Sequence, residues 1–306
     1  MTYNSVFRPD LFDGKVVVVT GGGSGIGRAT AHELASLGAQ VVIAGRDTDK
    51  LAGVAKEIAD GGDAGRVTTR GCDIRDEAQV IDLVEFTLAT HGRIDGLVNN
   101  AGGQYRQPLK DISSKGFEAV VRLNLFGGFM MMREAYNRSM AEHGGAIVNV
   151  IADIWGGWPA YGHSAAARGG MWTLSQSAAS EWAHSGVRVN CVAPGGIESS
   201  GFDTYEPAAQ EAILQFPPHI PLQRYGNVAE MSGAIVYLLS PAAAYITGSV
   251  IRVDGGGPNH RPCFNALPDA ANSVPFDGFP LDTASALLRN GVKAQGSRPA
   301  PTGGQR

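Results

Sequence analysis

Residues 15–27, KVVVVTGGGSGIG, constrain this chain more than any other stretch. Four consecutive valines, Val16 to Val19, are β-branched and apolar without alternation, the pattern of a strand buried on both faces. They run into a glycine-dense turn. The residues beyond it, 26–37, carry a helical pattern closed by Gly38. Strand, glycine turn and helix in that order present backbone N–H groups and a helix N-terminus to a pyrophosphate. A side chain at Gly21, Gly25 or Gly27 would block that approach, and Ser24 and Ile26 complete the turn. The spacing from Thr20 to Gly27 is T-G-x-x-x-G-I-G rather than G-x-G-x-x-G. It predicts a dinucleotide site; the flanking strand and helix argue against a mere flexible connector.

Strand and helix signatures then alternate at the spacing of βαβ units. Strands are expected at 16–20, 40–44, 67–73, 96–99, 146–152, 187–193 and 249–253, with helices between them, among others at 77–90, 111–136, 164–185 and 228–239. This alternation predicts an α/β fold, a single Rossmann-type doubly wound parallel sheet of about seven strands over residues 1–257. Periodicity is lost after Gly257. Residues 264–288 hold enough apolar side chains to pack over the domain or a neighbouring subunit, and the last dozen read as a mobile tail. A net charge of −4 without a basic block argues against a nucleic-acid partner. No apolar run reaches the roughly 18–20 residues of a membrane span. The first residues lack a basic segment followed by an apolar one, so no secretory signal and a cytoplasmic location are expected. Cys72, Cys191 and Cys263 are too far apart for C-x-x-C and read as reduced structural thiols. The seven histidines show no metal-ligand spacing, so no metal is expected.

The second strand ends in Gly45-Arg46. No acid stands at Ala44 or Gly45 to take a ribose 2′-hydroxyl, whereas Arg46 offers a fork of donors suited to a 2′-phosphate. NADP(H) is the expected cofactor; NAD is the alternative if Arg46 is a solvated loop residue and Asp47 does the ribose work. Further stretches follow in order: Cys72-Asp73-Ile74, Asn99-Asn100-Ala101-Gly102, Asn124 within Val-Arg-Leu-Asn-Leu-Phe, Ala193-Pro194-Gly195 and Val253-Asp254-Gly255-Gly256. With the first turn they resemble the short-chain dehydrogenase/reductase family over about residues 12–257. The resemblance implies that Asp73, with Ile74, contacts adenine. It implies that the amides of Asn100, Ala101 and Gly102 brace the sheet beside the adenosine ribose, and that Asn124 holds a proton-relay water. Pro194, Gly195 and Ile197 are then cofactor-binding residues by the nicotinamide, and Ser199 replaces a threonine that binds its phosphate or carboxamide. A homotetramer or dimer is implied too.

The family's Ser-Tyr-Lys reaction centre is not kept. The sequence reads Tyr161-Gly-His-Ser164-Ala-Ala-Ala-Arg168-Gly-Gly-Met-Trp-Thr-Leu174. Counting from Tyr161 puts Ala165 in the lysine position. Anchoring on Gly-Met-Trp-Thr-Leu puts Ser164 in the tyrosine position and Arg168 in the lysine position, and this register is preferred. The serine position then falls near Ile151 or Ala152, with Asp153 next. Residues 161, 164 and 168 share one face if the helix begins early enough. Arg168 stays ionised and is expected to hold the ribose hydroxyls and a positive charge near the nicotinamide. Ser164 can donate one hydrogen bond to an oxyanion but is a poor acid. Tyr161, a phenol near a cation, is a candidate acid, and Asp153 another if burial raises its pKa. The plainer roles are a pocket wall for Tyr161, an N-cap for Ser164 and a salt-bridge partner for Asp153.

The form H-S-x-A-A-R-x-G-M resembles a divergent branch holding trans-2-enoyl-CoA reductases, dienoyl-CoA reductases and bacterial citronellol/citronellal dehydrogenase-like proteins. The last likeness extends to residues 5–12, 153–157 and 199–205. Two chemistries are implied, C=C reduction and alcohol oxidation. Hydride addition to an enoyl thioester makes an enolate that needs hydrogen-bond donors at its oxygen, which Ser164 and backbone amides can meet; alcohol oxidation needs a base that this helix does not obviously supply. Reduction of an apolar 2-enoyl-CoA is therefore expected, with a citronellol-type dehydrogenase as the alternative. Trp155, Trp158 and Pro159, with Phe202, Leu214, Phe216, Pro217 and Pro218 of a substrate loop at 196–226, suit an acyl or terpenoid chain. Met130-Met131-Met132 reads as core or subunit interface. A non-catalytic NADP-binding protein is a third possibility, disfavoured by Asn124 and Ser199.

Overall fold

The four valines form a strand whose successive side chains enter opposite cores. In the computed structural model, which describes residues 2–260, 267, 268 and 270–290, Val17 and Val19 pack with Leu34 and Ile235 on one face of the sheet. Val18 packs with Leu83 and Met131 on the other. Full burial of each such side chain contributes on the order of 1.5–3 kcal/mol.

The elements in chain order are β1 (Val16–Thr20), α1 (Gly25–Ser36), β2 (Gln40–Gly45), α2 (Thr48–Ile58), β3 (Val67–Gly71), α3 (Glu77–His91), β4 (Gly96–Asn99), α4 (Ser114–Val121), α5 (Gly127–Ala135), α6 (Ala141–His143), β5 (Gly145–Val150), α7 (Gly162–Trp182), β6 (Val187–Pro194), α8 (Pro207–Gln215), α9 (Val228–Leu239) and β7 (Val250–Val253). The seven strands are parallel in the order β3-β2-β1-β4-β5-β6-β7. The sheet reverses its winding between β1 and β4, where an open α/β sheet leaves a crevice beyond the carboxyl ends of its strands.

The helix expected at 111–136 starts later and is interrupted. Ser113 accepts a hydrogen bond from the Gly116 amide and so caps α4 at Ser114. Single π-helical turns, Arg122–Phe126 and Tyr136–Met140, separate α4, α5 and α6. Such turns re-aim side chains at functional sites, and the first carries Asn124. Met130, Met131 and Met132 are all buried in the core, so they are not an interface. Cys72 and Cys191 are free, buried thiols, pushed up to about 12 and about 11 by burial. Cys263 lies outside the described residues, as do 264–266, 269 and the last dozen.

The described part of the extension packs on its own domain. Asn227 donates to the Phe276 carbonyl (2.8 Å), and the Phe276 amide donates to Glu230 (3.3 Å). Phe279 is buried against Tyr3 and His32, and the Asn4 amide donates to the Gly278 carbonyl. Beneath this junction lies Glu33, fully buried on α1, accepting from the hydroxyls of Ser5 and Ser232. Burial pushes its pKa above the ordinary carboxyl value.

Candidate active site

The crevice at the β1–β4 reversal holds a cavity of about 750 Å³. Of the cofactor-side residues read from sequence, Gly21, Ser24, Gly25, Ile26, Arg46, Asp73, Ile74, Asn100, Ala101, Gly102, Ile197 and Ser199 line it. Gly27, Pro194 and Gly195 do not. Gly27 serves packing instead: a side chain there would fall on the Gly21 carbonyl and the Asn100 amide. Gly25, at φ +51°, would point a side chain into open space, so it is the position where ligand approach matters.

Asn100 staples the turn by donating to the carbonyls of Thr20 (3.0 Å) and Gly21 (3.2 Å). The Thr20 hydroxyl accepts from the amides of Asn100 and Ala101 and donates to Val98. Asp73 is gripped by the Arg75 guanidinium, which holds its carboxyl below the ordinary range. On the neighbouring strand's end, Asp47 caps α2 by accepting from the Lys50 amide. Its carboxylate is thereby occupied, whereas Arg46 is exposed and makes no hydrogen bond or ion pair with another described residue. Lys50, absent from the sequence reading, also lines the cavity. Its place one turn into α2 was readable only once that short helix was recognised.

The catalytic candidates read from sequence lie around the start of α7, and Asp153, Tyr161, Ser164 and Arg168 are not among the residues lining the cavity. Ser164 and Arg168 are one turn apart and both buried. Tyr161 is the N-cap residue of α7, its carbonyl accepting from the Ala165 amide (2.9 Å), and its ring stacks on Trp158 (4.8 Å between centroids). Its phenol is shifted up by burial first and by Tyr205 second, against a smaller pull from Arg106. A phenol made less acidic in this way differs from the cation-activated acid expected. Ser164 lies inside the helix and is not its N-cap. Asp153 forms no salt bridge among the described residues. Its amide donates to the Pro194 carbonyl (3.0 Å), and its carboxyl is shifted up by burial and then by the charge of Asp254. Asn124 exchanges two hydrogen bonds with the Gly103 backbone (2.7 and 3.0 Å), so its amide group is engaged in holding the loop after β4.

Arg168 donates to the Val150 carbonyl (2.6 Å), and burial lowers its pKa to about 10. No carboxylate pairs with it among the described residues. Its tip lies against Gly102 and Asn124, where any side chain at Gly102 would collide with it. Arg168 also borders, with Asn99 and Asn124, a niche of about 10 Å³, room for about one water. His163, which the sequence reading passed over, is fully buried. Its Nδ1 accepts from the Ser164 amide (2.9 Å), and its ring meets Tyr105 edge-on. Asp153 Oδ1, His163 Nε2, Ser164 Oγ and Arg168 Nε are buried and find no partner among the described residues. Native structures leave few such atoms, and an unpaired buried cation is costly. The Ser164 hydroxyl and the Arg168 guanidinium, one helical turn apart, therefore suit a polar ligand that brings its own hydrogen-bonding groups and negative charge.

A parallel sheet with this strand order, a glycine turn opening α1 at the reversal and a lone cation beside the cavity define a nicotinamide-dinucleotide oxidoreductase. The chain belongs to the short-chain dehydrogenase/reductase family. Residues 21–257 match the family profile described as enoyl-(acyl carrier protein) reductase. The peroxisomal 2,4-dienoyl-CoA reductase of Danio rerio is 36% identical over 261 residues, covering 83% of this chain and 85% of the relative. The probable 2,4-dienoyl-CoA reductase of Bacillus subtilis is 34% identical over 245 residues, covering 79% and 96%. Among solved structures, the citronellol catabolism dehydrogenase of Pseudomonas aeruginosa superposes with a TM-score of 0.75 at 53% identity, covering 84% of this chain and all of that one. The chain is thus an NAD(P)-dependent oxidoreductase, and the non-catalytic alternative gives way. No helix among the described residues is long and apolar enough to cross a membrane.

Proposed function

We propose that this enzyme uses NADPH to reduce the C=C bond of an apolar 2-enoyl thioester, with coenzyme A as the thiol. The observation that carries the reading is the buried, unpartnered Ser164 hydroxyl one helical turn from the unpaired Arg168. The cofactor, when bound, supplies a hydride to the β-carbon. The electron pair of the C=C bond then moves onto the thioester oxygen. Ser164 donates to that oxygen, a bond that strengthens as charge develops. Arg168 holds the ribose hydroxyls and keeps a permanent positive charge near the reacting atoms, but it moves no proton. The proton at the α-carbon comes from water or from Asp153, whose raised pKa keeps a larger protonated fraction near neutrality than an ordinary aspartate has. The reductases among the relatives support the class.

NADP(H) over NAD(H) is supported by Arg46 with Lys50 beside it, and by the engagement of Asp47 in its cap. The ribose roles proposed for Asn100, Ala101 and Gly102, the adenine role of Asp73 and Ile74 and the nicotinamide roles of Ile197 and Ser199 follow the lining of the cavity. We place the enzyme in the cytoplasm as a dimer or tetramer, for which the exposed Phe117 and Phe126 offer apolar contact surface.

A second reading, NADP-dependent oxidation of an apolar alcohol of the citronellol type, is favoured by the 53% identity to the citronellol catabolism dehydrogenase. One assay set separates the two. NADPH consumption is followed with crotonyl- and 2-decenoyl-CoA esters, and NADP reduction with citronellol. Turnover of the enoyl esters is expected; turnover of the alcohol alone would replace the first reading by the second.

A further inference from the structure

The loop after β6 carries Ile197 and Ser199 into the cofactor cavity. Its start is held by Gly226, whose carbonyl accepts from the Glu198 amide (2.8 Å) and whose amide donates to the Gly196 carbonyl (3.0 Å), and Phe202 packs on Tyr225. Its exposed Glu206 meets Arg106 at 3.6 Å, and an exposed pair of this kind contributes little. A stronger tie comes from far along the chain. Ser285, fully buried, donates through its hydroxyl to Asp203 (2.7 Å) and through its amide to Glu198 (3.0 Å). The amides of Leu287 (3.0 Å) and Ala286 (3.2 Å) also donate to Asp203. Two carboxylates that bracket Ser199 in sequence are therefore clasped by one short segment of the extension. Hydrogen bonds to ionised acceptors are the strong ones, and these donors depress the Asp203 pKa. The segment is itself anchored on the rigid body. Ser273 accepts from Arg224 (3.1 Å), Phe276 is held between Asn227 and Glu230, and Phe279 is buried beside α1.

We infer that residues 273–289 form a strap that fixes the nicotinamide-side loop, beyond its pairing with Gly226, to the α1–α9 face, with Asp203 and Ser285 as positioning residues for Ser199. Neither residue touches the reacting atoms. They act by reducing the number of loop conformations that cofactor binding must otherwise freeze out.

The test uses the full-length protein and the cofactor alone, so it is independent of which substrate is turned over. Ser285→Ala and Asp203→Asn are compared with the parent by NADPH fluorescence titration and by hydrogen exchange. Asp203 is exposed, so its variant keeps the fold even if the buried serine proves sensitive. Expected are an NADPH Kd raised about five- to tenfold in both variants and faster exchange in peptides spanning 197–206. Exchange in β1 and β4 stays at parental rates, and Ser285→Thr recovers most of the affinity by restoring the hydroxyl. Unchanged Kd and exchange in Asp203→Asn would overturn the strap. So would acceleration spread equally through the sheet, or a threonine variant no better than the alanine.

Discussion

The two ends of the crevice satisfy their polar groups in opposite ways. At the nucleotide end nearly every group is spoken for: Thr20 and Asn100 knit β1 to β4, Asp73 is gripped by Arg75, and Asp47 caps α2. At the proposed reaction end, around the start of α7, Asp153, His163, Ser164 and Arg168 each keep a buried polar atom without a partner among the described residues. The first end is a finished frame that a cofactor enters; the second is left unsatisfied and depends on what enters. Binding specificity can thus be conserved in geometry while chemistry is altered by exchanging residues on a single helix turn.

The contrast breaks most sharply at Arg168. Arg168→Ala should lower kcat/KM by about a hundredfold or more and raise the NADPH Kd, because both charge stabilisation and the ribose contact are lost. Unchanged kinetics would remove it from the site. At the frame's edge, Arg46→Ala should raise the Kd for NADPH about tenfold and leave that for NADH within twofold, since only a 2′-phosphate engages an exposed guanidinium there. Equal losses for both nucleotides would refute the phosphate role. Tyr161→Phe should change kcat less than tenfold, because the phenol stacks on Trp158 and is shifted away from acidity; a larger loss in steady-state rates would restore it as the acid.

The smallest effect lies away from the crevice. The folded-state pKa of Glu33 is raised, so the folded state binds more protons than the unfolded one between the ordinary carboxyl value and the raised one. Stability therefore falls as pH climbs through that interval. Glu33→Gln lacks this loss. Its melting temperature relative to the parent should rise by about 2–4 °C between pH 4 and pH 8, and a constant difference in calorimetry would show that the carboxyl does not titrate there.

Much of the frame was legible because it is written in local patterns. Val16 to Val19 and the glycines fix a strand and a turn by sterics alone, and all seven strands lie within two residues of where alternation put them. The reaction end was legible in its residue types but not in its arrangement. Whether Tyr161 joins Ser164 depends on where α7 starts, and that is decided by the neighbouring Trp158 and the loop before Gly162. The helix of 111–136 was misread because a π-helical turn inserts one residue without changing the apolar pattern around it. His163 went unnoticed because its burial beneath Tyr105 joins segments far apart in sequence.

Asp203 meets Ser285 only across 82 residues of chain. During synthesis at about 5–20 residues per second, the first six strands and the glycine turn are complete roughly 5–18 s before the serine that clasps the nicotinamide-side loop has been made. A nascent chain can therefore hold the nucleotide frame while its reaction end is still untethered. In chain order the clasp can close only after every strand of the sheet has been made.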